Sequence, residues 1–288
     1  MKASSTREVY EKISESATWA EQDKIYRENP YDLSLYELEL SVVCGAAPHN
    51  GVIVELGSGW DPFVELLDGK DDAKLVATDF SYNSLRIVRN NGNEERVSLV
   101  CSDANNVPIR DLSADMVIAV GELICHDSVD PGRMLMEAHR ILKPGGLLVL
   151  GYDVKWSLDT MWMLVDSLIG NRIGYVTTSE QMLKLVKSPD GGLIRWRLPA
   201  TREVLNMRVF THKEIRSLLR RVGFRIISQR SALLLAGLIP TVVQQNTKNR
   251  IILSTARLLS MLDKLLGRMP GIKLLGGNTL VVAQKEQP

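Results

Sequence analysis

Five residues that follow apolar runs have the types and spacing to bind a nucleotide-like ligand. Glu55 is followed by Gly57 and Gly59, Asp79 lies 24 residues after Glu55, and Asp103 lies another 24 residues on. A carboxylate can accept hydrogen bonds from both hydroxyl groups of a ribose or from the amine of an adenine, and a glycine turn lets a ligand lie against the main chain. Each residue alone is typical of an ordinary turn or helix cap. The prediction therefore depends on the ordered set.

Two further residues are candidates for proton transfer. Glu122 and His126 follow the apolar run ADMVIAV. The ordinary pKa of histidine suits a general base at neutral pH, and a carboxylate can serve in the same way. A single histidine in a loop is also typical of a hydrogen-bonded structural residue, so both interpretations stay open.

Short apolar runs rich in Val, Ile and Leu must position these residues. Nearly continuous runs of this kind are typical of strands buried on both faces, and strands that alternate with helices predict a doubly wound α/β domain with a parallel sheet. Ligands of such sheets bind at the carboxyl ends of the strands, where the acids and glycines lie. The five runs are GVIVEL, AKLVATDF, RVSLVCSD, ADMVIAV and GGLLVLGY.

Capping and helix-breaking residues predict where several helices begin and end. Residues 4–47 predict two helices separated at Pro30. Asp61 predicts the N-cap of a helix that follows the glycine turn. Thr211 and Gly223 predict the two ends of a later helix. The runs FRIISQR and NTLVVAQK predict the strands that follow it.

Composition limits the class of protein. The chain has 288 residues, a formal net charge of +1 and three cysteines without metal-ligand spacing. This balance predicts neither a nucleic-acid partner nor a bound metal, and the sparse cysteines favour a reducing compartment. The polar start is unlike a signal peptide, and no apolar run approaches the roughly 20 residues that span a bilayer. We therefore expect a cytoplasmic protein.

The ordered motifs resemble those of the class I S-adenosylmethionine (SAM)-dependent methyltransferases, in particular the group of ubiquinone and menaquinone biosynthesis methyltransferases. The resemblance covers about residues 50–230 and the last strand. It implies a Rossmann-like, mostly parallel seven-stranded sheet with SAM as the cofactor. The motifs are VELGSG, VATDFS, CSDANNVP, ADMVIAVGEL, EAHRILKPGG and FTHKEIRSLLRRVGF.

The resemblance also implies roles for individual residues. His126 stands one residue later than the histidine usual in the family, which weakens a catalytic role for it. The cofactor roles are these: Glu55, Gly57 and Gly59 line the methionine portion, Asp79 holds the ribose, Phe80 packs against adenine, Asp103 and Ala104 contact the adenine edge, Gly121 faces the sulfonium, and Tyr10 closes over the cofactor.

Segments outside the shared core predict a cap over the cofactor. We expect an N-terminal helical lid at 1–50, a core at 51–231 with a cap insertion at about 155–205, a helical insertion at 232–277, and the last strand and tail at 278–288. Large apolar side chains in these segments predict an apolar substrate pocket. The pocket residues named by this prediction are Trp19, Tyr26, Trp156 and Trp162.

The sequence supports several functions of one fold. The leading hypothesis is methyl transfer to an oxygen, carbon or nitrogen atom of a small, apolar or lipid-like molecule. An anionic small molecule held by the segment from Arg195 to Arg208 is an alternative, and a non-catalytic SAM-binding scaffold is another. A nicotinamide dehydrogenase is disfavoured because Pro62 stands where its third glycine is needed. The apolar helices also leave peripheral membrane contact and a homo-oligomer open.

Overall fold

A seven-stranded sheet forms the centre of the molecule and confirms the predicted α/β class. The computed structural model describes residues 6–16, 18–70, 72–90, 97–266 and 276–286. The strands are β1 (Asn50–Leu56), β2 (Asp72–Asp79), β3 (Val97–Cys101), β4 (Ala114–Ala119), β5 (Leu142–Asp153), β6 (Gly192–Arg197), β7 (Val204–Val209), β8 (Phe224–Ala232) and β9 (Asn278–Lys285).

Helices cover the sheet and connect its strands. The helices are α1 (Thr6–Glu15), α2 (Thr18–Glu28), α3 (Pro30–Ala46), α4 (Tyr82–Asn90), α5 (Pro131–Ile141), α6 (Leu158–Leu168), α7 (Ser179–Lys187), α8 (His212–Val222), α9 (Thr241–Asn246) and α10 (Arg250–Leu266). Among the described residues, none of these helices is long and apolar enough to cross a bilayer.

The strand order creates a crevice at the middle of the sheet. The order is β3-β2-β1-β4-β5-β9-β8, in which β1 to β5 are parallel and β9 pairs antiparallel with both β5 and β8. Successive strands are added on one side of β1 up to β3 and on its other side from β4 onward, and a ligand crevice lies at such a switch point. Val54 on β1 and Val117 on β4 are fully buried because helices pack on both faces of the sheet.

The N-terminal segment contains three helices rather than the predicted two. Besides the break before Pro30, α1 and α2 are separate elements. Asn29 caps α3, since its side-chain oxygen accepts hydrogen bonds from the backbone N–H groups of Tyr31 and Asp32, and Pro30 occupies the first helical position, where no N–H is needed.

The helix predicted after the glycine turn is wrong. Only a short 3₁₀ helix, Val64–Leu67, follows, and Asp61 does not cap it. Instead Asp61 accepts a hydrogen bond from the Arg27 guanidinium of α2 at 2.6 Å. Gly69, with a φ of +68°, ends the segment after little more than one turn.

The predicted ends of α8 are confirmed, whereas one pair of strands was not predicted. Thr211 caps α8 by accepting from the N–H of Glu214, and Gly223 ends it in the left-handed conformation, as predicted. The sequence did not predict the β6–β7 hairpin, which forms a separate two-stranded sheet. The apolar run NRIILSTARLLSMLDKLLGRMPG predicts a helix that Gly267 and Pro270 end. α10 forms within this run, and Gly267 and Pro270 lie outside the described residues.

Candidate active site

A cavity of about 340 Å³ opens at the carboxyl ends of the central strands. Its floor includes the residues after β1, β2, β4 and β5. Its walls come from α1, α2 and α3, from α6 and from the β6–β7 hairpin. Gln245 and Gly277 of the third flanking segment also line it. Residues of all three segments that flank the shared core therefore line one cavity, of the size range of small-molecule sites.

Glycines at the bottom of the cavity keep the main chain open to a ligand. Gly57, Gly59 and Gly121 have φ values of +66°, +59° and +62°, a region that side chains rarely adopt. A Cβ atom on Gly57 would stand 2.6 Å from Cδ1 of Leu123, whereas one on Gly59 or Gly121 would project into open space. Gly59 and Gly121 thus leave room where a cofactor can lie against the backbone.

Asp79 joins the second strand to the glycine turn. Its Oδ2 accepts a hydrogen bond from the N–H of Gly59 at 3.0 Å, and its Oδ1 accepts from the N–H of Ser81 at 2.8 Å. Burial raises the pKa of Asp79 to about 6, and the two hydrogen bonds oppose that shift. The carboxylate is therefore fixed at the position from which the sequence predicts a ribose to be held.

Two polar side chains at the glycine turn are buried and can still form further hydrogen bonds. Glu55 is 4% exposed, and its Oε2 accepts from the N–H of Phe63 at 3.1 Å. Burial raises its pKa well above the ordinary value. Ser58 is 8% exposed and its Oγ has no hydrogen-bond partner among the described residues. Both residues line the cavity, where a bound ligand could supply the missing partners.

Tyr10 reaches the cavity from α1. Its ring lies 5.5 Å from that of His126 and 6.5 Å from those of Phe80 and Trp60, measured between centroids. A hydrogen bond fixes the start of α1, since the Thr6 hydroxyl donates to the Asp127 carboxylate at 2.5 Å. The structure thus brings Tyr10 and Phe80 together at one wall.

Asp103 and Ala104 do not line this cavity. Oδ1 of Asp103 accepts from the backbone N–H of Asn105 at 2.7 Å and from its side-chain amide at 2.8 Å. Ala104 packs against the main hydrophobic core. The adenine-edge role predicted for this pair stays a prediction.

Glu122 and His126 both face the cavity. Glu122 has a φ of +61°, an unusual conformation for a residue with a side chain. Burial, followed by the charges of neighbouring acids, raises its pKa well above the ordinary value. Burial lowers the pKa of His126 to about 4, and its Nδ1 has no hydrogen-bond partner among the described residues. His126 is therefore a neutral imidazole at pH 7.

Of the four aromatic residues predicted to form the substrate pocket, Tyr26 lines the cavity and the three tryptophans do not. Trp156 is 56% exposed, with the Lys155 ammonium 4.7 Å from its ring centroid. Trp162 donates its indole N–H to the carbonyl of Gly237, and Trp19 packs against Trp60. Their placement follows local packing, which large apolar side chains can satisfy without reaching a site.

The arginines of the segment from Arg195 to Arg208 are also outside the cavity lining. Arg208 pairs with Glu214 at 2.6 Å, and Arg202 donates to the side chain of Asn246 at 2.8 Å. Trp196, which follows Arg195 in sequence, does line the cavity. The site therefore offers no support for an anion held by these arginines.

Acids in the flanking segments are the main feature that the sequence reasoning missed. Asp153 ends β5 as Asp79 ends β2, a signal that was present in the sequence. Asp32 and Glu39 on α3 and Asp159 on α6 carry no such signal, because only packing turns them inward. All four line the cavity. Within the described residues, no group of three or more His, Cys, Asp or Glu side chains is arranged to hold a metal ion.

The fold and the strand-end site have the architecture that the resemblance to class I SAM-dependent methyltransferases implies. Comparison with protein families agrees, since residues 54–150 match the Methyltransferase domain family. This segment contains the glycine turn, Asp79 and the residues after β4. SAM is the cofactor that this family implies. The backbone space at Gly59 and Gly121 and the unpartnered Ser58 hydroxyl fit such a ligand.

Curated relatives match part of the chain. A malonyl-[acyl-carrier protein] O-methyltransferase of Marinomonas sp. is 28% identical over 152 residues, which are 51% of this chain and 55% of the relative. Methyltransferase GfsG of Streptomyces halstedii is 30% identical over 112 residues, 37% of this chain and 40% of the relative. The chain thus matches about half the length of these relatives or less.

Solved structures share the fold over nearly the whole chain. The methyltransferase bound to the Haloferax volcanii activator Trm112 has a TM-score of 0.57 at 16% identity, covering 96% of this chain and 98% of its own. A SAM-dependent methyltransferase of Methanosarcina mazei has a TM-score of 0.55 at 17% identity, covering 86% and 98%. These likenesses extend the shared architecture beyond the family segment.

Proposed function

We propose that the protein transfers the methyl group of SAM to an oxygen, carbon or nitrogen atom of a small molecule bound in the cavity. The observation that carries the proposal is the hydrogen bond between Asp79 and Gly59 at the switch point, since both residues line the cavity. A ribose-holding carboxylate, a glycine turn and an acceptor space then form one continuous site.

Bound SAM would supply an activated methyl group on a sulfonium. The protein's own contribution is then to hold the acceptor in line and to exclude water, which are the main sources of rate in such a reaction. Asp79, Glu55 and the backbone at Gly59 would hold the cofactor, and Tyr10 would close over it. Glu122 and His126 are the candidates to take a proton from the acceptor.

The apolar part of the lining supports an acceptor with an apolar body. Leu35, Val154, Met163, Ile194 and Met207 are buried and line the cavity on the side of α3, α6 and the hairpin. Burial of apolar surface there contributes roughly 25 cal/mol for each Å² removed from water. The relative from Marinomonas is named for transfer to oxygen, so oxygen stays among the acceptor atoms.

Calorimetric titration with SAM and with its product, S-adenosylhomocysteine, tests the proposal. Both should bind the wild-type protein with one-to-one stoichiometry, and NADH, the ligand of the disfavoured dehydrogenase, should not. Absence of binding by SAM and its product would contradict the proposal. Binding without methyl transfer to any compound of a broad acceptor panel would favour the non-catalytic scaffold.

The outer surface of α10 supports peripheral contact with an anionic membrane. Ile251, Leu258 and Leu265 are exposed, and the exposed cations of α10 include Arg250 and Arg257, whereas its acid, Asp263, is buried. Lys264 is paired with Glu37 at 2.7 Å. Apolar and cationic side chains on one helix suit an anionic lipid surface. When phosphatidylglycerol vesicles are sedimented, the wild-type protein should be found in the pellet with them. The Leu258→Glu variant should stay in the supernatant. Equal sedimentation of both would oppose this contact.

A further inference from the structure

We propose that the acceptor is an amine with an apolar body, whose nitrogen receives the methyl group in the part of the cavity beyond the cofactor. This inference depends on the proposed function and names its substrate class. Five carboxyl groups, here called the acidic cluster, carry the argument. They belong to Asp32, Glu39, Glu122, Asp153 and Asp159.

All five members of the acidic cluster line one cavity. Burial, followed by the charges of Asp153, Asp32, Glu39 and Asp159, raises the pKa of Glu122. These residues come from α3, from the end of β5 and from the start of α6, so the chain folds back to place them together. Their grouping is a property of the tertiary structure and not of a single acidic stretch.

No positive side chain balances the cluster within the part of the chain that the structure describes. Its five members form no ion pair with Lys or Arg there. Arg27 also lines the cavity, but it is paired with Asp23 at 2.9 Å and Asp61 at 2.6 Å. Glu39 and Asp159 are buried and the other three acids are half-buried. Ionised carboxylates that share such a cavity without an opposite charge are costly, and a cationic ligand removes that cost.

A second observation, independent of the charge count, also indicates a ligand. Glu39 is 5% exposed and Asp159 is 8% exposed, and both line the cavity. Oε1 of Glu39 accepts from the N–H of Gly121 at 2.9 Å, and Oδ1 of Asp159 accepts all three of its hydrogen bonds, from Tyr175 and Thr241. The other oxygen of each carboxyl group accepts none from a described residue. These free oxygens match the several N–H donors of an ammonium group.

Aromatic and apolar walls complete a site for an amine. Tyr26 and Tyr31 line the same cavity as the cluster. Burial, and after it the charges of nearby acids such as Glu122, raises the pKa of both phenols well above the ordinary value. A ring face attracts a cation, and more strongly where water is excluded. Met163 and its apolar neighbours, on the same side of the cavity, would cover the body of the molecule.

The proposed transfer balances without another reactant. The bound ammonium gives a proton to a carboxylate of the cluster. The nitrogen then donates its lone pair to the methyl carbon, the carbon–sulfur bond breaks, and its electron pair stays on sulfur as S-adenosylhomocysteine forms. Asp153 suits the role of proton acceptor because burial raises its pKa to about 7.

Binding to the protein saturated with S-adenosylhomocysteine tests the inference without turnover. The probes are phenethylamine, 2-phenylethanol and 3-phenylpropanoate, which share an apolar body and differ in charge. Phenethylamine should bind at least about tenfold more tightly than the alcohol, and the carboxylate should not bind, because a hydrogen bond to a charged group contributes about that ratio or more. Equal binding of the amine and the alcohol would overturn the inference.

Variants of the acidic cluster test whether its carboxyl groups cause the preference for the amine. Asp153→Asn and Glu122→Gln keep the side-chain shapes and should weaken phenethylamine binding by at least about tenfold, whereas Asp68→Asn, an exposed acid outside the cavity, should not. Each variant must retain a cooperative thermal transition and affinity for S-adenosylhomocysteine. Loss of SAM affinity with unchanged amine affinity would mean that the cluster serves the sulfonium, and the inference would fail.

The failures are distinguishable. If S-adenosylhomocysteine does not bind, the proposed function itself is wrong. If it binds and the amines do not, the proposed function stands and the amine is excluded. Displacement of phenethylamine by Mg²⁺ at millimolar concentration, with tighter binding of the metal than of any amine, would reassign the cluster to a divalent cation and overturn the inference.

Discussion

Oδ2 of Asp79, at the end of β2, accepts a hydrogen bond from the backbone N–H of Gly59, in the turn after β1, at 3.0 Å. The acid that the sequence assigns to the ribose is thus also a support of the glycine turn. This hydrogen bond fixes the glycine turn and the end of β2 relative to each other without a ligand. Cofactor binding therefore loses less conformational entropy.

Replacement of Asp79 should weaken the cofactor site. We expect Asp79→Ala to reduce SAM affinity by about 1.5–3 kcal/mol, the range for hydrogen bonds that involve a charge. Asp79→Asn keeps an acceptor for the N–H of Gly59 and should lose less. Calorimetry on both variants makes the comparison. Wild-type affinity in Asp79→Ala would remove the ribose assignment.

The pH dependence of stability should reveal the acidic cluster. Burial raises the pKa of Asp32, Glu39 and Asp153 to about 7, above the values of 3.8 or 4.5 for exposed carboxyl groups. Groups with a raised pKa stabilise the fold at low pH and lose that contribution as the pH rises through 7. The Tm of the ligand-free protein should therefore fall between pH 5.5 and 8.5.

Asp153→Asn isolates this effect from other titrating groups. The groups that face Asp153 include three acids, two other titratable groups and one amide. They are Glu122, Glu39, Asp159, the Tyr31 phenol, the Cys125 thiol and the Asn278 amide, which donates to its Oδ1 at 3.1 Å. An asparagine stays neutral, so the variant should exceed the wild type in Tm at pH 8.5 by about 2 °C or more. The difference should shrink as the pH falls from 7 and vanish only below about pH 4, where the carboxyl group is protonated in both the folded and the unfolded state. A constant difference at all pH values would exclude titration as its cause.

His126 can be tested as a base once an acceptor is known. If its neutral imidazole takes the proton, His126→Ala should retain SAM affinity and lose turnover by roughly 10²–10⁴-fold. Because the pKa of His126 is about 4, the wild-type rate should show no inflection near pH 6.5 from this residue. His49→Ala, at an exposed histidine, is the control. Unchanged turnover in His126→Ala would exclude His126 as the base and favour a carboxylate of the cavity as the proton acceptor.

Closure of the N-terminal helices should depend on the cofactor. Tyr10 lines the cavity, and α1 is held by polar contacts such as Glu11 with Ser81 and Lys12 with Glu203, each at 3.2 Å. Hydrogen exchange should show greater protection of α1 and α2 when S-adenosylhomocysteine is added, while α8, which contributes no residue to the cavity, should not change. Equal exchange of α1 in both states would contradict a lid.

The sequence by itself determined the sheet and the cofactor end of the site. Apolar runs of strand length can be buried only in a sheet covered on both faces, and the residue after each run must then lie at the carboxyl edge. Asp79, Gly57, Gly59 and Gly121 are therefore predictable from position along the chain alone. Local signals also determined the ends of α8, because a cap involves neighbours in sequence.

Only the tertiary structure decided what surrounds the acceptor. Asp32 and Asp159 are 127 positions apart, and nothing near either residue in sequence indicates that it faces a cavity. Trp156 shows the converse, since a large apolar side chain suggests a pocket wall but is exposed in the fold. The physical reason is that the cap segments pack by contacts between residues far apart in sequence, and these contacts select the buried side of each helix. The chemistry of the acceptor site is therefore determined by packing, whereas that of the cofactor site is determined by the positions at which strands end.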